Sequence, residues 1–392
     1  MRLAIAILIV AYVLSQFFRA FLPVMTPVLS ADLGVTAGDL SRANGLWFLI
    51  FAAMQIPVGW ALDRFGPRRL TSLLLALGGG GGAALFALAQ NPFQIQMAVA
   101  LTGIGCAPVL MASYFIFARM YPPALFGTLA GLSLGIGSLG NIFSSMPTAY
   151  AIETVGWRGT MWGVAGLTFA VSALIFLMVK DPPPVKHAKT EGSLWTLLKM
   201  PVLWAILPIM AINYAPSASL RGSWAGPYLG DVFGLSTTGI GQVTLVMGLA
   251  MIAGALLVSP MDRVLGSRKW VVFPAGAISV AGLFALWAMP DRGVIPSAVI
   301  FAIIGFFGST YPMIMAHARS FMPDHLVGRG VTFFNLVSMA GAGIFQFSSA
   351  WVYQATTVPG DPLIAYRALF LYFAIPAAIG TALYLFSHDR TD

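Results

Sequence analysis

Charge is what this 392-residue chain has least of: Asp, Glu, Lys and Arg make up 9% of it, against 58% for hydrophobic residues. A soluble domain carries charge at roughly 25% of its positions, so a soluble fold is excluded. The single cysteine, Cys106, excludes an intrachain disulfide and any multi-thiolate metal site. It sits in Gly105-Cys106-Ala107-Pro108 inside an apolar run and reads as a small packing residue. His-Glu-x-x-His, Gly-x-Ser-x-Gly and paired aspartates within apolar runs are all missing. The histidines, His187, His317, His325 and His388, lie at or beyond the ends of those runs. The chain is therefore not expected to be an enzyme, and no cofactor or metal is expected. Its net charge of +8 forms no cluster with a nucleic-acid reading element, so nucleic acid is not an expected partner.

What the chain does have is long apolar runs. A hydrocarbon core about 30 Å thick takes roughly 20 apolar residues per helix. Spans are predicted at 3–29, 42–62, 70–89, 94–118, 126–150 and 159–179, then at 201–229, 239–260, 270–289, 294–318, 330–354 and 364–386. That makes twelve transmembrane helices and an all-α integral membrane fold in the lipid bilayer. The expected organisation is a six-helix bundle at 1–179, a cytoplasmic linker at 180–200 and a second six-helix bundle at 201–392. In the linker, Lys180-Asp181-Pro182-Pro183-Pro184 stops the sixth helix, and residues 193–199 have the pattern of a short amphipathic helix on the inner surface. The first apolar run is too long for a cleaved signal peptide, and no small-x-small site follows it. With the N-terminus inside, fifteen of the 21 basic residues fall on the cytoplasmic side. Arg42, Arg158, Arg292 and Arg367 fall outside, and Arg19 and Arg221 lie within spans. That asymmetry predicts an inner-membrane protein with both termini in the cytoplasm.

The two bundles repeat each other. Asp63-Arg64-Phe65-Gly66-Pro67-Arg68-Arg69 closes one span, and Asp262-Arg263-Val264-Leu265-Gly266-Ser267-Arg268-Lys269 closes another. Pro27, Leu29 and Gly34 recur as Pro227, Leu229 and Gly234, and Arg19 has its counterpart in Arg221. Internal duplication of a membrane-embedded half is how many transporters place a substrate site midway across the bilayer. The run Gly78–Gly82 is not followed by Gly-Lys-Ser/Thr and lies within a span, so it reads as a close helix approach rather than a phosphate cradle. Gly131, Gly135 and Gly140 take the same reading.

The segment Gly59-Trp60-Ala61-Leu62-Asp63-Arg64-Phe65-Gly66-Pro67-Arg68-Arg69 resembles the loop between helices two and three of the major facilitator superfamily, and Asp262–Lys269 is similar to its weaker second copy. Arg119 before Pro122-Pro123 and Arg319 before Pro323 fit that superfamily's helix-four and helix-ten ends. The resemblance covers the whole chain. It implies alternating access, with Asp63, Arg64, Arg119, Asp262, Arg263 and Arg319 as gating residues. Physically, a carboxylate at a helix end can face another helix's positive N-terminus, and arginines add charge-assisted hydrogen bonds. Arg68 and Arg69 read as anchors at the anionic inner surface.

Arg19 and Arg221 are the sharper feature, because a charge within hydrocarbon costs roughly 3 kcal/mol on insertion scales. No Asp or Glu falls within a predicted span. A guanidinium grips carboxylate or phosphate bidentately, so a substrate anion can supply the missing charge. The alternative is that both side chains snorkel outward. Here the chain also resembles the organophosphate and organic-anion carriers, in which an arginine on helix one and another on helix seven hold the anion. Trp224-Ala225-Gly226-Pro227-Tyr228-Leu229 is similar to the pattern at that point.

Further candidates for a substrate site are the uncharged polar side chains inside spans: Gln16, Tyr114, Asn141, Asn213, Tyr214, Asn335 and Gln346. Each can equally serve as an interhelical hydrogen bond. Ser144-Ser145 and Ser348-Ser349 fall at equivalent places in the two halves. The expected function is secondary transport of a small solute, an organic anion, by a monomer. Proton-coupled export of drugs or metabolites is one alternative, although helix five carries no Gly-Pro pair. Soft-metal uptake is another, with Met247 and Met251, and Met313 and His317, each one turn apart. A sensor on the same fold is a third.

Overall fold

The computed structural model describes residues 2–183, 199–258, 261–323 and 327–390. They form helices joined by short turns: α1 (Arg2–Phe18), α2 (Leu22–Leu33), α3 (Ala37–Phe65), α4 (Pro67–Leu88), α5 (Pro92–Met120), α6 (Pro123–Gly137), α7 (Leu139–Phe143), α8 (Met146–Met178), α9 (Pro201–Phe233), α10 (Thr237–Val258), α11 (Met261–Leu265), α12 (Lys269–Ala288), α13 (Val294–Phe307), α14 (Tyr311–Arg319), α15 (Val327–Thr356) and α16 (Pro362–Tyr384). Among the described residues ten helices are long and apolar enough to cross a membrane, and the bent pair α1–α2 makes an eleventh span. The twelve predicted spans differ from this count at one place. The run expected at 126–150 is divided among α6, α7 and the start of α8, with only a shorter apolar stretch at Leu129–Phe143. The next expected span begins within α8, where Gly156 (φ 73°) turns the chain. The amphipathic helix expected at 193–199 lies outside the described residues but for its last position.

Prolines decide where the spans bend. Pro23 lacks the N–H that would bond the Arg19 carbonyl, and its ring crowds that carbonyl. The first span accordingly breaks between Phe18 and Leu22, with α1 and α2 bent by 51°. Pro227 likewise withdraws the partner of the Ser223 carbonyl, and α9 widens into a π-helical turn over Leu220–Trp224. Both helices then close on a left-handed glycine, Gly34 (φ 63°) and Gly234 (φ 66°), a conformation only glycine adopts without cost.

The chain divides into two compact units, residues 1–186 with 235–245, and residues 187–234 with 246–392. In the first, α4 and α5 touch backbone to backbone: a Cβ on Gly78 would fall on Gly105, and one on Gly105 would fall on Gly79. Gly140 of α7 meets the Val13 carbonyl of α1 in the same way. The second unit repeats that contact with Gly341 of α15 against the Ala211 carbonyl of α9. Gly131 and Gly135, read from sequence as packing residues, instead face nothing within 4 Å. They sit where α6 leaves room.

Candidate functional site

Arg19 falls at the break between α1 and α2, just beyond the C-terminal end of α1, where a positive charge complements the helix dipole. Its guanidinium lies over two rings of α3, 5.0 Å from the centre of Trp47 and 4.8 Å from that of Phe51. The rings stack on each other with centroids 4.9 Å apart. Such cation–π contact compensates part of the lost hydration. Arg19 Nε is buried with no hydrogen-bond partner. One turn earlier on α1, Gln16 donates to the Tyr12 hydroxyl (3.1 Å). Tyr114 on α5 packs near Phe117, and the Asn141 carbonyl accepts from the Ser144 and Ser145 hydroxyls.

Arg221 lies in the π-helical turn of α9 and is only 3% exposed. Its guanidinium runs past Gly248 of α10, whose missing side chain leaves it room. Around it, Ser217, Ser219, Ser223 and Gln346 are fully buried. Gln346 donates to the Ser223 hydroxyl (2.7 Å), and the Trp224 indole donates to Ser349 (2.9 Å). Tyr214 lies at the start of the straight part of α9 that leads to Arg221. Asn213 is engaged at both ends of its amide, donating to the Gly308 carbonyl (3.1 Å) and accepting from Thr310 (3.2 Å). Asn335 accepts from the Tyr311 hydroxyl (2.9 Å). These two asparagines tie helices together within the second unit.

Of the gating candidates, Asp63 and Arg119 form an ion pair at 3.1 Å, joining the ends of α3 and α5. Arg64 lies over the Trp60 ring at 5.3 Å. In the second unit Asp262 pairs with Arg268 (3.3 Å), six residues on in its own loop. Arg319 is exposed at the end of α14. The side chain of Arg263 lies outside the described ones.

Sequence reasoning missed a pair of carboxylates just past α8 and α16. Asp181, just past α8, accepts the Arg68 backbone N–H (2.8 Å) at the start of α4, while Arg68 Nε donates to the Phe176 carbonyl. Asp389, past α16, accepts the backbone N–H groups of Arg268 (3.1 Å) and Lys269 (3.0 Å) and the Ser267 hydroxyl. Burial pushes the Asp389 carboxyl up. The hydrogen bonds from Ser267, Lys269 and Arg268 and the nearby His317 outweigh that and hold it below its ordinary range. The only sequence signal was an aspartate after the last span of each half. Arg68 is thus more than a surface anchor.

Of the soft-metal candidates, Met313 and His317 are otherwise occupied. Met313 belongs to the apolar core of the second unit. His317 meets the Tyr384 hydroxyl at Nδ1 (2.5 Å) and the His388 carbonyl at Nε2 (2.8 Å), leaving neither nitrogen for a cation.

Long apolar helices, a first span broken before Pro23 and an aspartate–arginine loop in each unit are features of a membrane carrier. The sequence pattern of the Major Facilitator Superfamily matches residues 8–345 and 211–392, and the chain belongs to that superfamily. That places it among transporters and not enzymes. It is similar to the probable sulfoacetate transporter SauU of Cupriavidus necator, 22% identical over 192 residues that cover 49% of this chain. The chain spans 44% of that relative's length. The hexuronate transporter of Bacillus subtilis is 22% identical over 339 residues, 83% of this chain and 77% of that protein. The fold resembles a bacterial homologue of the human lysosomal transporter Spinster in an inward-facing, occupied conformation. There the TM-score is 0.76 at 16% identity, over 98% of this chain and 96% of that one.

Proposed function

We propose that the protein is a secondary transporter that carries a small organic anion across the inner membrane by alternating access. The observation that carries this reading is the setting of Arg19: a cation within an apolar span, at a proline-made helix break, stacked on aromatic rings with Nε unpartnered. Broken helices are where transporters of this kind expose polar groups to substrate. Arg221, buried in the irregular turn of the corresponding helix, is the matching group of the second unit. Each arginine donates to the substrate's anionic group, as the resemblance to organic-anion carriers implies. Two relatives named for organic anions, sulfoacetate and hexuronate, support the substrate class. Asp63 with Arg119 and Asp262 with Arg268 serve as the inner latches. The carrier works as a monomer with both termini in the cytoplasm, and the charge asymmetry of its loops supports that orientation.

Proteoliposome uptake of labelled carboxylates and organophosphates tests the reading. Removing one partner of a buried charge contact costs about 2–5 kcal/mol, so Arg19→Ala or Arg221→Ala is expected to weaken anion binding by roughly 30-fold or more. Normal transport by both variants, or transport of neutral solutes alone, would overturn the anion assignment.

A further inference from the structure

Besides Arg19, the first unit holds further buried polar side chains that have no hydrogen-bond partner among the described residues. Asn44 of α3 is fully buried, yet neither its Nδ2 nor its Oδ1 has a hydrogen-bond partner. Trp47, one turn further along α3, is also fully buried, and its indole N–H is unpartnered too. Trp47 links Asn44 to Arg19, because its ring is one of the two over which the Arg19 guanidinium lies. Buried polar side chains are nearly always hydrogen-bonded, and an amide left bare at both ends destabilises its fold. Three such side chains, Arg19 at the break after α1 and Asn44 and Trp47 on α3, are more than a packing fault explains. Elsewhere in the chain comparable amides are used: Asn213 at both ends and Asn335 by Tyr311.

We infer that Asn44, with the indole N–H of Trp47, is a substrate-recognising group of the first unit, and that the substrate is a carboxylate bearing a hydroxyl. The inference rests on the anion reading of Arg19 and goes beyond it in naming what the rest of the molecule carries. The reason is the acceptor Oδ1. Arg19 and the Trp47 indole are donors and suit the oxygens of an anion, whereas the Asn44 amide presents a donor and an acceptor together. A carboxylate has no proton to give Oδ1, so an unsubstituted anion leaves that atom bare. A hydroxyl both donates and accepts, and satisfies both ends of the amide at once. A site built to bond a hydroxyl discriminates strongly against the analogue lacking it, since the buried amide is then left unpaired.

The test compares acids of equal chain length and charge: tartrate with succinate, lactate with propionate, and gluconate with hexanoate. Binding to the full-length detergent-solubilised protein is read from ligand-dependent melting, and uptake from proteoliposomes. For at least one pair the hydroxylated acid is expected to bind tenfold or more tightly. Asn44→Leu, similar in branching shape, should erase that preference, weakening the hydroxylated acid tenfold and the other less than twofold. Without ligand, Asn44→Leu should melt no lower than wild type, because it removes a bare amide; a structural asparagine would show a lower melting temperature. Trp47→Phe keeps an aromatic ring under Arg19 while removing the indole N–H, and should weaken both members of a pair alike. If Asn44→Leu does not fold, Asn44→Asp takes its place, and its repulsion of the anion should weaken both members at least tenfold. Equal binding of paired acids, or a preference that survives Asn44→Leu, would overturn the subsite while leaving the anion reading in place. Should no acid of any pair bind, the anion reading itself fails and this inference with it.

Discussion

Gly248 of α10 lies against the guanidinium of Arg221: a Cβ at that glycine would stand 3.0 Å from Nη2 and 3.1 Å from Nε. The side chain of Arg221 is therefore held in place partly by the absence of another. Overpacking of this kind costs about 1–3 kcal/mol, and the arginine can give way before the helix does. Gly248→Ala is expected to lower anion affinity about tenfold while changing the melting temperature of the free protein little. Titration of a transported anion against both proteins measures it.

The pair Asp63–Arg119 is partly open to water, with side chains 38% and 27% exposed, so its contribution to stability is small, about 0–1 kcal/mol. As a latch in the proposed transport cycle, the pair is expected to act on rate instead. Asp63→Asn should leave the melting temperature within a few degrees and slow net uptake several-fold. Arg119→Lys, which keeps the charge, should recover part of the rate. Uptake rates set against thermal melts separate the two effects.

Asp389 has its folded-state acidity held below the ordinary value of about 3.9. A lowered carboxylate stabilises fully above the unfolded value, and that contribution is lost as pH falls through the folded value. Wild-type melting temperature should thus fall on acidification below about pH 4, and Asp389→Asn should lie lower at neutral pH and lose less over the same range. A melting series from pH 3 to pH 7 in detergent shows it, and equal slopes would contradict it.

At Gly105 a side chain would meet the backbone of Gly79, which has no rotamer to move out of the way. Gly105→Ala should reduce the yield of folded protein sharply, by more than the 1–3 kcal/mol usual for overpacking. Gly131→Ala, facing open space, is expected to fold normally. Size-exclusion profiles of the two variants side by side make the comparison.

The helices and their duplication were legible because hydrocarbon demands a simple signal, about 20 apolar residues at a stretch, and prolines and glycines at matched positions betray a repeat. The break at Arg19 was also written in the chain, since Pro23 stands four residues on, but a continuous apolar run hides it from a hydropathy reading. Asn213 and Asn335 looked like binding groups only because sequence cannot say whether a neighbouring helix has already taken their hydrogen bonds. Asn44 was overlooked for the opposite reason. One asparagine near the start of a span is unremarkable until its surroundings are known to offer it nothing. Gly248 leaves no sequence trace at all, because its role is the space it does not fill.

Asp181 and Asp389 have a consequence for how the polypeptide can be divided. Each stands just beyond the last helix of its own unit and reaches back to the amides that open that unit's α4 or α12. Both clasps are made from chain on one side of the linker. A gene cut within residues 184–198 would leave each fragment in possession of its own fastener. Residues 235–245, which belong to the first unit, would then come from the second polypeptide, so the clasps are independent of the cut while the first unit as a whole is not.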